Sequence, residues 1–243
     1  MALETWVLGL EAPPVAAAAR AGQFVNIGLP GGPLLRRPFS VYRAVEGVIE
    51  VLLRPVVVGT RMLAGMAPGA RVRCLGPLGR GFRIDPRGGA VTLLSGGLGV
   101  APMPLAAAEA AALGLEVTWV HGAASAAGLC REWWGDKVAW ATLDGTQGAL
   151  GSVLEAVPPV PRQLFACGPN GMLAAVAERW PWSQVAVETH MGCGTGVCLG
   201  CAVPRTVGGY DRACTEGPVY PAAEVDWARL PAPSRQEPAG LVL

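Results

Sequence analysis

Residues Leu93–Met103 read LLSGGLGVAPM: an apolar run, three glycines within four positions, then residues that can open a helix. The run AVTLLSGG (90–97) has the length and apolar character of a buried strand, and glycines directly after it mark a strand-to-helix turn. Glycines at such a turn let the backbone approach a pyrophosphate, and the helix N-terminus that follows supplies N–H donors. A tight turn with no ligand satisfies the same letters. The stretch is not a full dinucleotide fingerprint. Pro102 stands where a third glycine belongs, and the next strand, EVTWVHG (116–122), ends in His121-Gly122 without an acid for a ribose.

Downstream the pattern repeats. PLAAAEAAALG (104–114) is Ala-rich and helical, stopped by Gly114. KVAWATLDG (137–145), RQLFACG (162–168) and QVAVETH (184–190) read as further strands, and GMLAAVAERW (171–180) as a helix between the last two. Strands alternating with helices predict a parallel α/β sheet. Upstream the pattern differs. TWVLGLEA, QFVNIGL, FSVYRAV, VIEVLLRP and ARVRCLGPLG are short apolar or β-branched runs punctuated by Gly and Pro, which predicts a small antiparallel barrel or sandwich. The expected fold class is thus a β-barrel plus α/β. The expected domains are a barrel over 1–85, a nucleotide-binding α/β domain over 86–187 and a cysteine-bearing segment over 188–243. The tail PAPSRQEPAG (231–240) reads as loose.

Composition narrows the function. With 243 residues, 51% of them hydrophobic, the chain can bury sizeable cores. No apolar run reaches the roughly 18 residues of a membrane span. The start, MALETWVLGLEAPP, lacks the basic region of a signal peptide, so the expectation is a cytoplasmic protein without a membrane anchor. Net charge is +1, Lys137 is the only lysine and the arginines are scattered, which argues against nucleic-acid binding.

Four of the seven cysteines fall in the last segment as Cys193-x4-Cys198-x2-Cys201, then twelve residues to Cys214. C-x4-C-x2-C with a distant fourth cysteine is the plant-type [2Fe–2S] spacing. Zinc sites more often use two C-x2-C pairs, and only one occurs here, so zinc is the lesser alternative. The interleaved glycines suit a loop whose N–H groups must approach sulfur. Cys74 and Cys130 read as small buried hydrophobes. Cys167 lies at a strand end before Gly168-Pro169, where α/β proteins place functional groups.

Several other candidates keep two readings. Arg36-Arg37-Pro38-Phe39-Ser40 lies between two predicted strands, as a phosphate fork with an aromatic neighbour or as a surface turn. Gly59-Thr60 precedes RMLAGMAPG, a short predicted helix whose start could meet a phosphate. His121 is a ligand contact or a satisfied polar group, His190 is structural, and Asp144 faces a nucleotide or simply forms a turn.

Taken together these motifs resemble the ferredoxin–NADP reductase superfamily. The order matches over nearly the whole chain: R-P-F-S in the barrel, G-P-L-G at 76–79, S-G-G-L-G-V-A-P, then C-G-P-N-G-M at 167–172. The C-terminal cysteines resemble one branch, the electron-transfer subunits of class 1B dihydroorotate dehydrogenases. The resemblance implies that Arg37, Pro38, Phe39 and Ser40 hold FAD, with Leu52, Leu53 and Arg54 as a second flavin-contacting strand. LLRPVVVGT is more apolar than that second stretch usually is, which weakens the match at 52–54. It further implies that Gly59 and Thr60 meet the FAD pyrophosphate, that Gly96, Gly97 and Gly99 face NAD, and that Cys167 closes over the nicotinamide as the catalytic contact. Cys193, Cys198, Cys201 and Cys214 would hold the [2Fe–2S] cluster. The implied partner is an FMN-containing catalytic subunit that oxidises dihydroorotate for pyrimidine (UMP) synthesis, in a heterotetramer of two of each subunit. NAD is favoured over NADP because GAASAAGLCREWW (122–134) offers little positive charge for a 2′-phosphate.

A hydride carrier moves two electrons and an iron–sulfur cluster moves one, so a flavin belongs between them. Val197 and Leu199, beside the cluster cysteines, would touch the partner or pack inward. Two alternatives stand beside this expectation. One is an equivalent subunit of a ferredoxin–NADP transhydrogenase, sulfide dehydrogenase or hydrogenase. The other is a zinc-stabilised binding module without catalysis.

Overall fold

A computed structural model describes residues 4–129 and 138–230. Cys130, Lys137 and the tail 231–240 lie outside the described residues, as does part of the 122–134 stretch.

The first unit contains β1 (Trp6–Glu11), α1 (Pro13–Ala18), β2 (Phe24–Gly28), β3 (Arg37–Val45), β4 (Val48–Leu53), α2 (Val58–Ala64) and β5 (Arg73–Leu78). Its strands form one antiparallel sheet in the order β1-β4-β3-β2-β5. One local expectation changes. The stretch Arg37–Ser40 does not lie between strands. It is the start of β3, with Arg37 paired to Ile27 and Pro38 to Asn26. Helix α1 was hidden by its composition: two prolines sit in its first turn, where their missing N–H is no loss.

The second unit contains β6 (Ala90–Gly96), α3 (Met103–Ala112), β7 (Glu116–Ala123), β8 (Ala139–Thr142), β9 (Ala149–Leu150), β10 (Leu164–Cys167), α4 (Asn170–Arg179) and β11 (Gln184–Ala186). The remaining elements are β12 (Ala202–Pro204), β13 (Tyr210–Arg212) and β14 (Val219–Pro221). The central sheet has the order β14-β11-β10-β6-β7-β8-β9, parallel except for β14. From β6 the chain winds outward through β7, β8 and β9, then returns to the other side of β6 as β10. The sheet therefore switches direction between β6 and β10, and the loops after both strands open at the same carboxyl-end crevice.

The strand expected over Gln184–His190 stops at Ala186. The Val187 N–H donates instead to Pro218 O at 2.9 Å, and the chain turns into the cysteine loop. That loop's segment is not an appendage. β14 adds to the edge of the central sheet, and Cys201, Val203, Ala213, Cys214 and Tyr220 share one buried cluster with Leu94, Leu164 and Val185. The barrel residues Val25, Ile27, Val41 and Val51 form the other core with Leu93 and Met103.

Candidate functional site

The cysteine loop shows why three cysteines and their glycines are grouped. The β12–β13 hairpin pairs Ala202 with Arg212, and the Ala213 N–H donates to Cys201 O at 2.9 Å. This brings the buried sulfurs of Cys201 and Cys214 to 3.3 Å. Cys193 and Cys198 make the other pair: the Cys198 N–H donates to Cys193 Sγ at 3.4 Å. Among the described residues, no three His, Cys, Asp or Glu side chains gather closely enough to hold one ion. Four thiolates are what a two-iron cluster uses.

The backbone is folded to serve the sulfurs. Cys193 Sγ also accepts from Thr195 N at 3.4 Å, Cys214 Sγ from Gly196 N at 3.1 Å and Cys198 Sγ from Gly200 N at 3.5 Å. Gly194 and Gly196 carry φ of +73° and +81°, a region that favours glycine. Donation from the Thr195 and Cys198 N–H groups brings the Cys193 thiol down to about 6, so it is readily a thiolate. Burial, with Cys201 alongside, pushes the Cys214 thiol up to about 11, so a metal held there would displace its proton. Arg212 clamps the loop. Its guanidinium forks onto Glu216 at 2.6 and 3.0 Å and also donates to Gly196 O at 3.3 Å.

The barrel site forms where β3, β4 and α2 converge. Gly59 is buried beside Arg37, and a Cβ there would approach Arg37 Nε to 3.0 Å. The Thr60 hydroxyl closes the first turn of α2, accepting from Val57 N and donating to Val57 O, both at 3.0 Å. Thr60 is therefore a cap first. Leu52 and Leu53 are buried in the barrel core, which leaves their backbone for any ligand contact. Arg54 Nε is buried without a hydrogen-bond partner. An orphaned guanidinium donor just after β4, together with Arg37 over Gly59, fits a phosphate-bearing flavin cofactor.

The crevice at the sheet switch joins the glycine loop to Cys167. Ser95 pairs with Cys167 across β6 and β10. A Cβ at Gly96 would meet Met172 Sδ at 2.8 Å, and one at Gly99 would overlap the Cys167 carbonyl. Both glycines thus exist for close packing of the two turns. Gly97, with φ +54° and open space around it, is the one of the three that faces outward unobstructed. Gly99→Ala is expected to cost about 1–3 kcal/mol by overpacking, and to raise the KM for NADH while the flavin and cluster spectra persist. Steady-state kinetics with visible spectroscopy checks this.

Cys167 is a neutral thiol. Burial pushes it up to about 12, helped by the negative charge of Glu188. It suits van der Waals closure over a ring rather than nucleophilic attack. Asp144 Oδ1 accepts from Thr146 N at 3.0 Å and Thr146 Oγ1 at 2.6 Å, which makes it a turn former. His121 is fully buried, with Ser95 Oγ 2.9 Å from its Nδ1, and Trp119 Nε1 donates to the same hydroxyl at 3.0 Å. Burial lowers its pKa from 6.5 to about 4. The unfolded chain takes up this proton first, so the stabilisation is full above about pH 6.5 and is lost as pH falls toward 4. The gap corresponds to about 3 kcal/mol. Urea midpoints should fall from pH 7 to pH 5, and His121→Phe should flatten that slope.

Comparison with known proteins bears on this constellation. Residues 188–226 match the family model described as the iron–sulfur cluster binding domain of dihydroorotate dehydrogenase B. A dihydroorotate dehydrogenase B (NAD(+)) electron transfer subunit of Desulforamulus reducens is 36% identical, across 93% of this chain and 94% of the relative. The chain belongs to this family. The Geobacillus thermodenitrificans subunit is 37% identical with the same coverage of both chains. Among solved structures, an NADH-dependent reduced ferredoxin-NADP oxidoreductase studied for flavin-based electron bifurcation superposes with a TM-score of 0.82 and 27% identity. That match covers 93% of this chain and 86% of the other. As a member of this family, the chain is a component of an NAD-linked oxidoreductase. No helix among the described residues is long and apolar enough to cross a membrane.

Two features of the site escaped the sequence. Asn26, in the barrel strand β2, donates from Nδ2 to Cys193 O at 3.2 Å and so ties the barrel to the cysteine loop. Its signal was one polar letter inside QFVNIGL. The Arg212–Glu216 clamp left only an i,i+4 spacing in a segment with no helix to suggest a partner.

Proposed function

We propose that the chain carries electrons from a dihydroorotate-oxidising FMN subunit to NAD(+), as a step of UMP synthesis, with FAD in the barrel and a [2Fe–2S] cluster in the C-terminal loop. When bound, the cluster carries single electrons, NAD(+) accepts a hydride and FAD exchanges in either mode. The chain's own residues bind and orient. Cys193, Cys198, Cys201 and Cys214 hold the cluster. Arg37–Ser40, Leu52–Arg54, Gly59 and Thr60 hold FAD, with Arg37 and Arg54 supplying charge to its phosphates. Gly97 offers backbone to the nucleotide, Gly96 and Gly99 set its loop, and Cys167 closes the nicotinamide side against water. The division of labour follows residues 1–85, 86–187 and 188–243.

One observation carries this assignment: the cysteine loop reaches the surface at one end and, at the other, barrel strand β2, which pairs with the Arg37–Ser40 stretch of β3. Cys198 is exposed at its tip, flanked by Val197 and Leu199 at 81% and 64% exposure. Of the two expectations for these apolar residues, outward contact with the partner is the one their exposure favours. The other end is the Asn26–Cys193 link.

The partner is the FMN subunit in a cytoplasmic heterotetramer of two of each chain. Anaerobic affinity purification of the tagged protein from its own cells tests this. A stoichiometric FMN subunit that oxidises dihydroorotate is expected. A different oxidoreductase as companion would transfer the same module to another substrate, in line with its likeness to the ferredoxin-NADP oxidoreductase structure.

A further inference from the structure

We propose that Asn26 is a positioning residue that seats the cluster loop on barrel strand β2, beside the flavin stretch of β3, and raises the cluster's reduction potential. The proposal rests on the relay described above. Strand β2 alternates: Val25 and Ile27 turn into the barrel core, while Phe24 packs in the core shared with Cys201 and Cys214. Asn26 shares the face of Phe24. On that face Asn26 lies across from Pro38, and Phe24 across from Ser40. The residue therefore stands beside the flavin stretch and also holds the carbonyl of the first cluster cysteine at 3.2 Å. Contact is direct, because a Cβ at Gly194 would run into the Asn26 amide.

Packing alone does not account for an asparagine here. The side chain is fully buried, and its Oδ1 has no hydrogen-bond partner. A leucine would fill the space and leave no acceptor unmet. What only the amide supplies is a donor aimed at the Cys193 peptide. Its positive end offsets negative charge beside a sulfur that already accepts from Thr195 and Cys198. Donors near cluster sulfurs favour the more negative, reduced state.

The test compares the wild-type complex with Asn26→Leu and Asn26→Asp, purified anaerobically with the partner subunit. The readouts are the cluster midpoint and its g values, from EPR-monitored redox titration. In Asn26→Leu the reduced-to-oxidised ratio at fixed potential should fall at least about threefold, about 28 mV at 59 mV per tenfold. Asn26→Asp, with the same shape and an added negative charge, should fall further. Loss of the cluster from a folded variant that keeps FAD would also support the positioning role. A wild-type midpoint and spectrum in Asn26→Leu would overturn it. If Asn26→Leu does not fold, the same result in Asn26→Asp overturns it. A wild-type complex without a cluster signal would instead overturn the relay itself.

Discussion

Cys198→Ser is expected to stop electron delivery from the partner subunit while NADH oxidation by an artificial dye continues. Cys198 is the exposed member of the cysteine set, and its sulfur is held by a single backbone donor, Gly200 N. Exchanging it leaves the fold's cores untouched, because Cys201 and Cys214 are the buried pair. The residues proposed for flavin and nucleotide lie on other elements: β3, β4 and α2 for FAD, and the turns after β6 and β10 for NAD. Dye reduction draws on those alone. Loss of a partner that merely supports a metal ligand already costs about 10- to 100-fold. Loss of a ligand itself should exceed that, so dihydroorotate-dependent NADH formation should fall by more than about 100-fold. Parallel assays of the two activities, with EPR of the reduced protein, check the outcome. Undiminished transfer from the partner would mean that electrons bypass the cysteine loop. Cys214→Ser should behave differently. Its hydroxyl would replace a thiol in the second core, so folding stability should fall along with the cluster.

The parts of this site that were legible in the sequence are those in which spacing along the chain is itself the chemistry. C-x4-C-x2-C works because a single loop must present three sulfurs, so the motif is visible in any context. The glycines after β6 are visible for the same reason: the turn they make is local. The alternating strands around them gave the parallel sheet by periodicity. Illegible parts depend on contacts between distant segments. Asn26 and Cys193 meet only after the barrel and the C-terminal loop have folded against each other. The three residues of β14 become a strand because β11 offers an open edge, not because VYP is a strong strand signal. Arg36–Ser40 read as a phosphate fork or a surface turn between strands, because Pro38 cannot donate to a ladder, yet pairing with β2 draws residues 37–40 into β3. Gly96 and Gly99 looked like ligand-binding glycines, while their immediate purpose is to let the β6 and β10 turns touch. The local pattern found the crevice, and only the topology explained why those glycines sit there.

Arg37→Ala should empty the barrel of its flavin. Arg37 opens β3, leans over Gly59 and donates to Leu35 O at 2.9 Å, so its guanidinium is already fixed at the mouth of the site. A fixed planar donor loses little freedom on meeting an anion, which is why arginine rather than lysine suits this position. Hydrogen bonds to charged groups contribute about 1.5–3 kcal/mol. Removing the side chain should therefore weaken FAD binding by about 10- to 150-fold. Arg37→Lys should recover only part of it, because a point charge cannot reproduce the fork. Gly59→Val is expected to act on the same contact from the other side, by pushing the guanidinium off its perch. Fluorescence titration of the apoprotein with FAD measures all three. The cluster gives the internal control, since neither Arg37 nor Gly59 hydrogen-bonds to the cysteine loop, and its EPR signal should persist in the flavin-free variants. Dye reduction by NADH should then fall in proportion to bound FAD. Full FAD affinity in Arg37→Ala would place the cofactor's anionic group elsewhere along the barrel, with the orphaned Arg54 Nε as the next residue to replace.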